Sequence, residues 1–158
     1  MAGRIATGRR NGGAIVADNL LERLDTAWAR WLLLLDRVER GRRDEKVLDE
    51  NWSVKDLLAH TLFWDAEVLS DIDRWRHGAP ALHNDWQRMN DDNHAAHRDR
   101  PYELIRVEMH MVHEAVRQAI SRLPDNLPDE FVEQIAVDTW DHYDDHSTQI
   151  EDWLARPT

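Results

Sequence analysis

The sequence predicts an all-α protein built as a four-helix bundle. Four long segments carry apolar residues three or four positions apart, which is the spacing of one face of a helix. No segment of useful length alternates between apolar and polar residues, as a half-buried strand would. A chain of 158 residues has the usual size of one domain and can bury a substantial core.

The first predicted helix runs from about Ala17 to Arg40, and Gly41 follows where glycine often ends a helix. Its apolar residues recur at helical spacing: Leu20, Leu21, Leu24, Trp28, Trp31, Leu35 and Val38. Residues 1–13 contain three arginines and no acidic residue. They are predicted to form a flexible N-terminal tail, with an organelle transit peptide as the alternative. Residues 14–158 then form one bundle domain.

The second predicted helix has the clearest start in the chain. Ser53 can cap the free backbone amides, and Asp56 can bond back to the cap residue. Trp52, just before the cap, can pack onto Leu57. The helix is predicted to continue to Gly78, because glycine readily adopts the backbone conformation that follows a helix C-terminus.

The third predicted helix begins near Pro101, which suits a first helical turn, and Pro124 stops it. The fourth is predicted to run from about Asp129 to Ala155. Its seam residues alternate in steps of three and four: Phe131, Ile135, Thr139, His142, His146, Ile150 and Trp153. Two histidines therefore belong to an apolar seam.

A long polar connection, residues 79–100, joins the second helix to the third. It is predicted to hold a short helix around Trp86 to Ala96. A connection of this length can return along the whole bundle at ~3.3 Å per residue, so that the two helices it joins run parallel. Such a connection would serve as the crossover between the second and third helices.

Composition points away from several classes of protein. Aspartate and glutamate number 31 against 20 lysine and arginine residues, and the net charge of -11 predicts that nucleic acid is not a partner. The chain has no cysteine, which excludes disulfides, thiolate nucleophiles and cysteine-ligated metals. The longest aliphatic run, Leu32 to Leu35, is far shorter than the ~20 residues of a membrane span. A cytoplasmic protein without a membrane partner is expected.

The sharpest chemical feature is the pair His142 and His146, four residues apart on the fourth helix. Residues at this spacing lie ~40° apart around the axis and ~6 Å along it, so both imidazoles can reach one divalent ion. A usable site needs a third ligand from a neighbouring helix, and His60 at the edge of the second helix's apolar stripe is the natural donor. The alternative is that these are ordinary boundary histidines bonded to water or carboxylates.

Several stretches of the chain carry a family resemblance. Residues 51–60 read Asn-Trp-Ser-Val-Lys-Asp-Leu-Leu-Ala-His, and residues 141–146 read Asp-His-Tyr-Asp-Asp-His. Between them lies an asparagine-rich stretch with Asn84 and Asn90. In these features, which span nearly the whole chain after the tail, the sequence resembles the DinB/YfiT-like superfamily, and most of all its ClbS/DfsB-type branch. The resemblance implies a homodimeric up-down-down-up bundle with a divalent ion on three histidines, here His60, His142 and His146.

An ion on three histidines leaves positions for water or substrate, which is the arrangement of a catalytic site. Zinc and nickel are the favoured ions, and iron and manganese are the alternatives. The ion can activate water for hydrolysis of a small molecule. The resemblance to thiol-transferase members implies activation of a low-molecular-weight thiol instead. The competing predictions are a metal-free small-molecule-binding or stress-protection bundle and a purely structural dimerisation module.

Two further residues are weaker catalytic candidates. Glu67 can act as a general base, and Tyr143 can donate a hydrogen bond to a bound oxyanion. The alternatives are a solvated carboxylate for Glu67 and a packing role for Tyr143. On the third helix, His110 and His113 are reserve ligands only.

Overall fold

The computed structural model describes residues 12–48, 51–79 and 85–156. Within these ranges the chain is mostly helical, which confirms the all-α prediction, while the up-down-down-up order stays a prediction. Of the predicted tail, residues 12 and 13 begin the first helix and residues 1–11 lie outside the described residues. The elements are α1 (Gly12–Arg37), a 3₁₀ turn (Arg40–Arg42), β1 (Lys46–Leu48), β2 (Trp52–Ser53), α2 (Val54–Arg76), α3 (Trp86–His97), α4 (Tyr102–Ser121), α5 (Asp129–Asp138) and α6 (Trp140–Leu154).

The helices pack mainly in two pairs, α1 with α6 and α2 with α4, and α3 lies against α2. Arg30 links α1 to α6 through Asp144 and Glu151, at 3.3 and 3.0 Å. Exposed ion pairs of this kind add little stability, so burial of apolar side chains holds the helices together. The bulkiest fully buried side chains are Trp31, Trp140 and Tyr143. In the described part of the chain, no helix has the length and apolar character needed to cross a membrane.

The capping box predicted at the start of α2 is confirmed. The Ser53 amide donates to Asp56 Oδ2 at 2.8 Å, and the Asp56 amide donates to Ser53 Oγ at 3.2 Å. A fixed helix start also fixes which residues face the core, because side chains recur every 3.6 positions. His60 consequently lies on the buried side of α2. At the other end, Gly78 has a φ of 69°, the left-handed conformation predicted for it.

The fourth predicted helix is not continuous, because Thr139 separates α5 from α6. Thr139 has φ −125° and ψ −100°, outside the helical region, and its hydroxyl donates to the Ile135 carbonyl at 2.6 Å. That bond gives a carbonyl near the end of α5 a partner within the protein. The apolar pattern runs through this single-residue break, so spacing alone does not reveal it.

The sequence predicted no strands, and this prediction is wrong for one short hairpin. Strands β1 and β2 pair antiparallel, with Lys46 opposite Ser53 and Leu48 opposite Trp52. Strands of three and two residues are too short to show an alternating pattern. The hairpin matters for function because it brings Trp52 edge-on to His60, with ring centroids 5.0 Å apart. The short helix predicted inside the long connection is confirmed as α3.

Candidate metal centre

The three histidines predicted as metal ligands come together between α2 and α6. The His60 ring lies 4.7 Å from the His142 ring and 5.2 Å from the His146 ring, measured between centroids. The His142 and His146 rings are 4.5 Å apart. One nitrogen from each ring can be chosen so that all three lie within 4.8 Å of one another.

This donor set fits a divalent transition metal. In a tetrahedral site, zinc–nitrogen bonds of ~2.0–2.1 Å place two ligand nitrogens ~3.4 Å apart, so a pair at 4.8 Å needs to close by about 1.4 Å, or about 0.7 Å for each nitrogen. Small rotations of the imidazoles can supply that movement. His60 and His146 are each 8% exposed, and His60 Nδ1 is buried without a hydrogen-bond partner among the described residues. Such a nitrogen gains a partner when an ion binds.

Hydrogen bonds define the protonation of two of these rings. His146 Nδ1 lies 2.6 Å from Gln149 Oε1, and an amide oxygen only accepts, so Nδ1 carries the proton. His146 Nε2 is then free of a proton and accepts from His142 Nε2 at 2.9 Å. For His142 Nε2 to bind an ion, the His142 proton must move to Nδ1. The backbone carbonyl of Asp138 favours protonation of that ring.

Burial keeps the imidazoles uncharged. Removal from water lowers the pKa of His60 to about 3, with a smaller contribution from His146. Burial lowers the pKa of His142 well below its usual value, and the neighbouring His146 and His60 add to this effect. The pKa of His146 is lowered by burial, against the opposing influence of Gln149 and Asp145. At neutral pH these rings therefore present lone pairs, which metal ions require.

A cavity of about 780 Å³ opens directly onto the cluster. His60 and His142 lie in its wall, beside the apolar side chains Trp64, Trp86 and Val137. The rest of the wall is polar and comes largely from α5: Asn90, Glu130, Glu133, Gln134, Asp138 and Asp145. The imidazoles thus lie in a space large enough for a small organic molecule.

Helix α3 contributes residues that the sequence analysis did not assign to the site. The Trp64 indole N–H donates to Asn90 Oδ1 at 2.9 Å, which fixes this ring in the cavity wall. Trp86, the first residue of α3, is 59% exposed beside the cavity. Gln149 was likewise not predicted as part of the site. It lies three residues after His146 on the same helix face, within hydrogen-bonding reach of the His146 ring. The asparagine-rich stretch was the available signal, but Asn84 lies outside the described residues.

The two weaker catalytic candidates lie away from the cavity wall. Tyr143 is fully buried, and its hydroxyl donates to both carboxylate oxygens of Asp65 at 2.6 Å. His113 Nδ1 donates to the same hydroxyl oxygen at 3.1 Å, and the His113 ring stacks on Trp28 at 3.7 Å. His113 therefore belongs to a separate polar network in the core. Glu67 is half-buried on α2 and does not line the cavity.

This network predicts a dependence of stability on acid. Burial lowers the pKa of His113 to about 4; Asp25 opposes the shift, while His110 and Arg117 favour it. A histidine with a lowered folded pKa stabilises the protein above its unfolded pKa of ~6.5 and loses that contribution as pH falls toward the folded value. At pH 5 the loss amounts to about 2 kcal/mol.

Replacing His113 by glutamine, His113→Gln, should remove this part of the acid sensitivity. Urea unfolding at pH 7.5 and pH 5 measures the free energy of unfolding in both proteins. The parent is expected to lose about 2 kcal/mol more than the variant over this interval. An equal loss in the two proteins would show that folding does not lower the pKa of His113. His77→Gln is the control, since His77 is exposed on the surface.

Comparison with known proteins identifies the fold but not a family. Neither a protein-family model nor a curated protein matches the chain. Among solved structures, an uncharacterised protein from Escherichia coli UTI89 has a TM-score of 0.76 at 18% identity, over 87% of this chain and 92% of that one. The colibactin self-resistance protein ClbS, in complex with a dsDNA, has a TM-score of 0.77 at 15% identity, over 90% of this chain and 97% of that one. The fold is therefore ClbS-like, as the resemblance implies, while membership of the DinB/YfiT-like superfamily stays a prediction.

The complex of ClbS with dsDNA corrects one prediction. Net charge does not exclude nucleic acid as a partner for this fold, because a protein of the same fold has been seen with duplex DNA. A net charge is a sum over the whole chain, whereas phosphates are contacted by local groups of side chains. Residues 37–46 illustrate the difference, with five basic and three acidic side chains in a chain of net charge -11. The chain therefore has the ClbS-like fold, and its charge leaves nucleic acid open as a partner.

Proposed function

We propose that this protein is a metal-dependent enzyme acting on a small molecule, with His60, His142 and His146 as ligands of one divalent ion. The observation that carries the proposal is a cluster of three nitrogen donors within 4.8 Å of one another, of which His60 and His142 line a cavity of about 780 Å³. Three protein ligands leave coordination positions open, as catalytic zinc sites do. Zinc and nickel are the favoured ions, and iron and manganese are the alternatives.

The bound ion would supply Lewis-acid chemistry, either for hydrolysis or for transfer of a low-molecular-weight thiol. The chain's own residues would orient and confine the substrate. Asp138 and Asp145 are carboxylates in the cavity wall that can accept a proton from a bound molecule. Trp64, fixed by its bond to Asn90, gives the cavity a rigid apolar wall.

Elemental analysis of protein purified without an affinity tag tests the metal site. The parent is expected to carry about one divalent ion per chain. The double variant His142→Ala, His146→Ala should carry none, because it retains a single ligand. A parent without metal even after incubation with zinc and nickel, or a double variant that keeps the ion, contradicts the assignment.

A metal-free small-molecule-binding bundle is the alternative, and the hydrogen bonds of the cluster favour it. His142 bonds to His146, and His146 bonds to Gln149, so two of the three rings have partners without an ion. This alternative predicts that chelators leave both the fold and ligand binding unchanged. The elemental analysis separates it from the enzyme.

Duplex DNA is a second candidate ligand, and the complex of ClbS with dsDNA is the observation that favours it. Residues 37–46 form a locally positive stretch of this chain, although several of its cations are paired with acidic side chains. Titration with a short duplex at low and at high salt tests the proposal, because phosphate contacts weaken steeply as salt rises.

A further inference from the structure

The cavity beside the histidine cluster has a wall of one charge sign. Four carboxylates line it, namely Glu130, Glu133, Asp138 and Asp145, and no lysine or arginine among the described residues does. Within the described ranges, Glu130, Glu133 and Asp145 form no ion pair. These three carboxylates share a concave wall without counter-charges among the described residues, and they create a negative potential, which attracts cations and repels anions.

Two apolar side chains stand exposed in the same wall. Trp86 is 59% exposed and Val137 is 62% exposed, so each presents apolar surface to the cavity. An indole face attracts a cation through its ring electrons and also packs against apolar groups. A ligand with both a positive charge and an apolar body would use both features of the wall.

The inner end of the cavity offers a third kind of contact. His60 is 8% exposed and lies in the cavity wall, and its Nδ1 is buried without a hydrogen-bond partner among the described residues. A buried nitrogen without a partner marks a place where a bound group completes the site. The carboxylates Glu130, Glu133 and Asp145 are exposed, whereas His60 belongs to the buried part of the same wall.

We propose that the cavity binds an amphipathic organic cation, an ammonium group joined to an aromatic or other apolar body. The ammonium lies among the α5 and α6 carboxylates, and the apolar body lies against Trp86 and Val137. This inference rests on the proposed function, because it names the substrate class of the same site.

Three probes of matched size test the charge preference: 2-phenylethylammonium, neutral 2-phenylethanol and anionic phenylacetate. Calorimetric titration gives the affinities, and the indole N–H resonance of Trp86 reports whether binding occurs in this cavity. The cation is expected to bind at least about tenfold more tightly than the anion. Binding of phenylacetate as tight as that of the cation, or no cation binding at the highest soluble concentration, overturns the proposal.

Variants assign the effect to the two parts of the wall. Trp86→Ala should weaken cation binding by about tenfold without harming the fold, because the side chain is largely exposed. The double variant Glu130→Gln, Glu133→Gln should weaken binding of the cation but not of 2-phenylethanol. A double variant with the same charge change elsewhere, Glu39→Gln, Asp125→Asn, should bind the cation as the parent does. Equal affinities in the two double variants overturn the role of the wall.

Metal content of the same variants separates this inference from the proposed function. The substitutions in α3 and α5 leave the three histidines in place, so they should carry the same amount of metal as the parent. Cation binding by a protein that never takes up metal supports the ligand class and contradicts the enzyme. Metal binding without cation binding supports the proposed metal site and contradicts the ligand class.

Discussion

His146→Ala should lower the affinity for a divalent metal by more than about 100-fold, while His110→Ala should leave it unchanged. His146 lies within the cluster whose nitrogens fall inside 4.8 Å, and removing it leaves two ligands. His110 lies on α4, where its ring contacts Trp28 instead of the cluster. Competition with a chromophoric zinc chelator measures both affinities on one scale.

Gln149→Ala gives a finer test of the same site. Gln149 Oε1 accepts from His146 Nδ1 at 2.6 Å and so holds the proton away from Nε2. Loss of such a supporting partner typically weakens metal binding by ~10–100-fold, which is less than loss of a ligand. The expected order of affinities is therefore parent, then Gln149→Ala, then His146→Ala. Equal affinities for His146→Ala and His110→Ala would remove His146 from the ligand set.

Tyr143→Phe should lower the free energy of unfolding by about 2–4 kcal/mol, because it leaves two buried polar groups without their partner. The Asp65 carboxylate loses the hydroxyl that donates to it, and His113 Nδ1 loses its acceptor. Both groups are nearly inaccessible to water, so solvent cannot replace the lost bonds. Urea unfolding at neutral pH measures the change.

The pH dependence of this variant identifies the charge involved. Burial raises the pKa of Asp65 well above its usual value, and the bond from Tyr143 acts in the opposite direction. A raised folded pKa gives a contribution to stability that is complete at low pH and is lost as pH rises through the folded pKa. The penalty of Tyr143→Phe should therefore grow with pH.

Asp65→Asn is the matched control for Tyr143→Phe. Its amide oxygen still accepts from Tyr143, and no charge remains to be buried, so its penalty should be smaller and less dependent on pH. If Tyr143→Phe keeps the parent's stability and loses a measured activity, Tyr143 acts in the reaction instead of in the core.

The local signals in the sequence were strong where a few neighbouring residues decide the structure. Ser53 and Asp56 specify the start of α2 by bonding to each other's backbone amides, and that start places His60 on the buried face. The spacing of four residues places His142 and His146 on one side of α6. Together with the family resemblance, these local rules predicted the three-histidine cluster, although the ion itself stays a prediction.

Other features depend on contacts between distant residues, which spacing in the sequence does not encode. Trp64 and Asn90 are separated by 26 positions, and only the packing of α3 on α2 brings them together. Asp65 and Tyr143 are separated by 78 positions. The charge of the cavity wall was hidden for the same reason, since Glu130 and Glu133 resemble an ordinary wet helix face until the cavity beside them is seen.

The break at Thr139 places two parts of the candidate site on different helices. Helix α5 supplies Glu130 and Glu133, which set the charge of the wall, whereas α6 supplies His142 and His146. Substitutions on the ten residues of α5 can therefore change which molecules are accepted without altering the ligand pair. Under the proposed function, exchange of residues on this one short helix would change the ligand preference while leaving the proposed metal ligands of α6 in place.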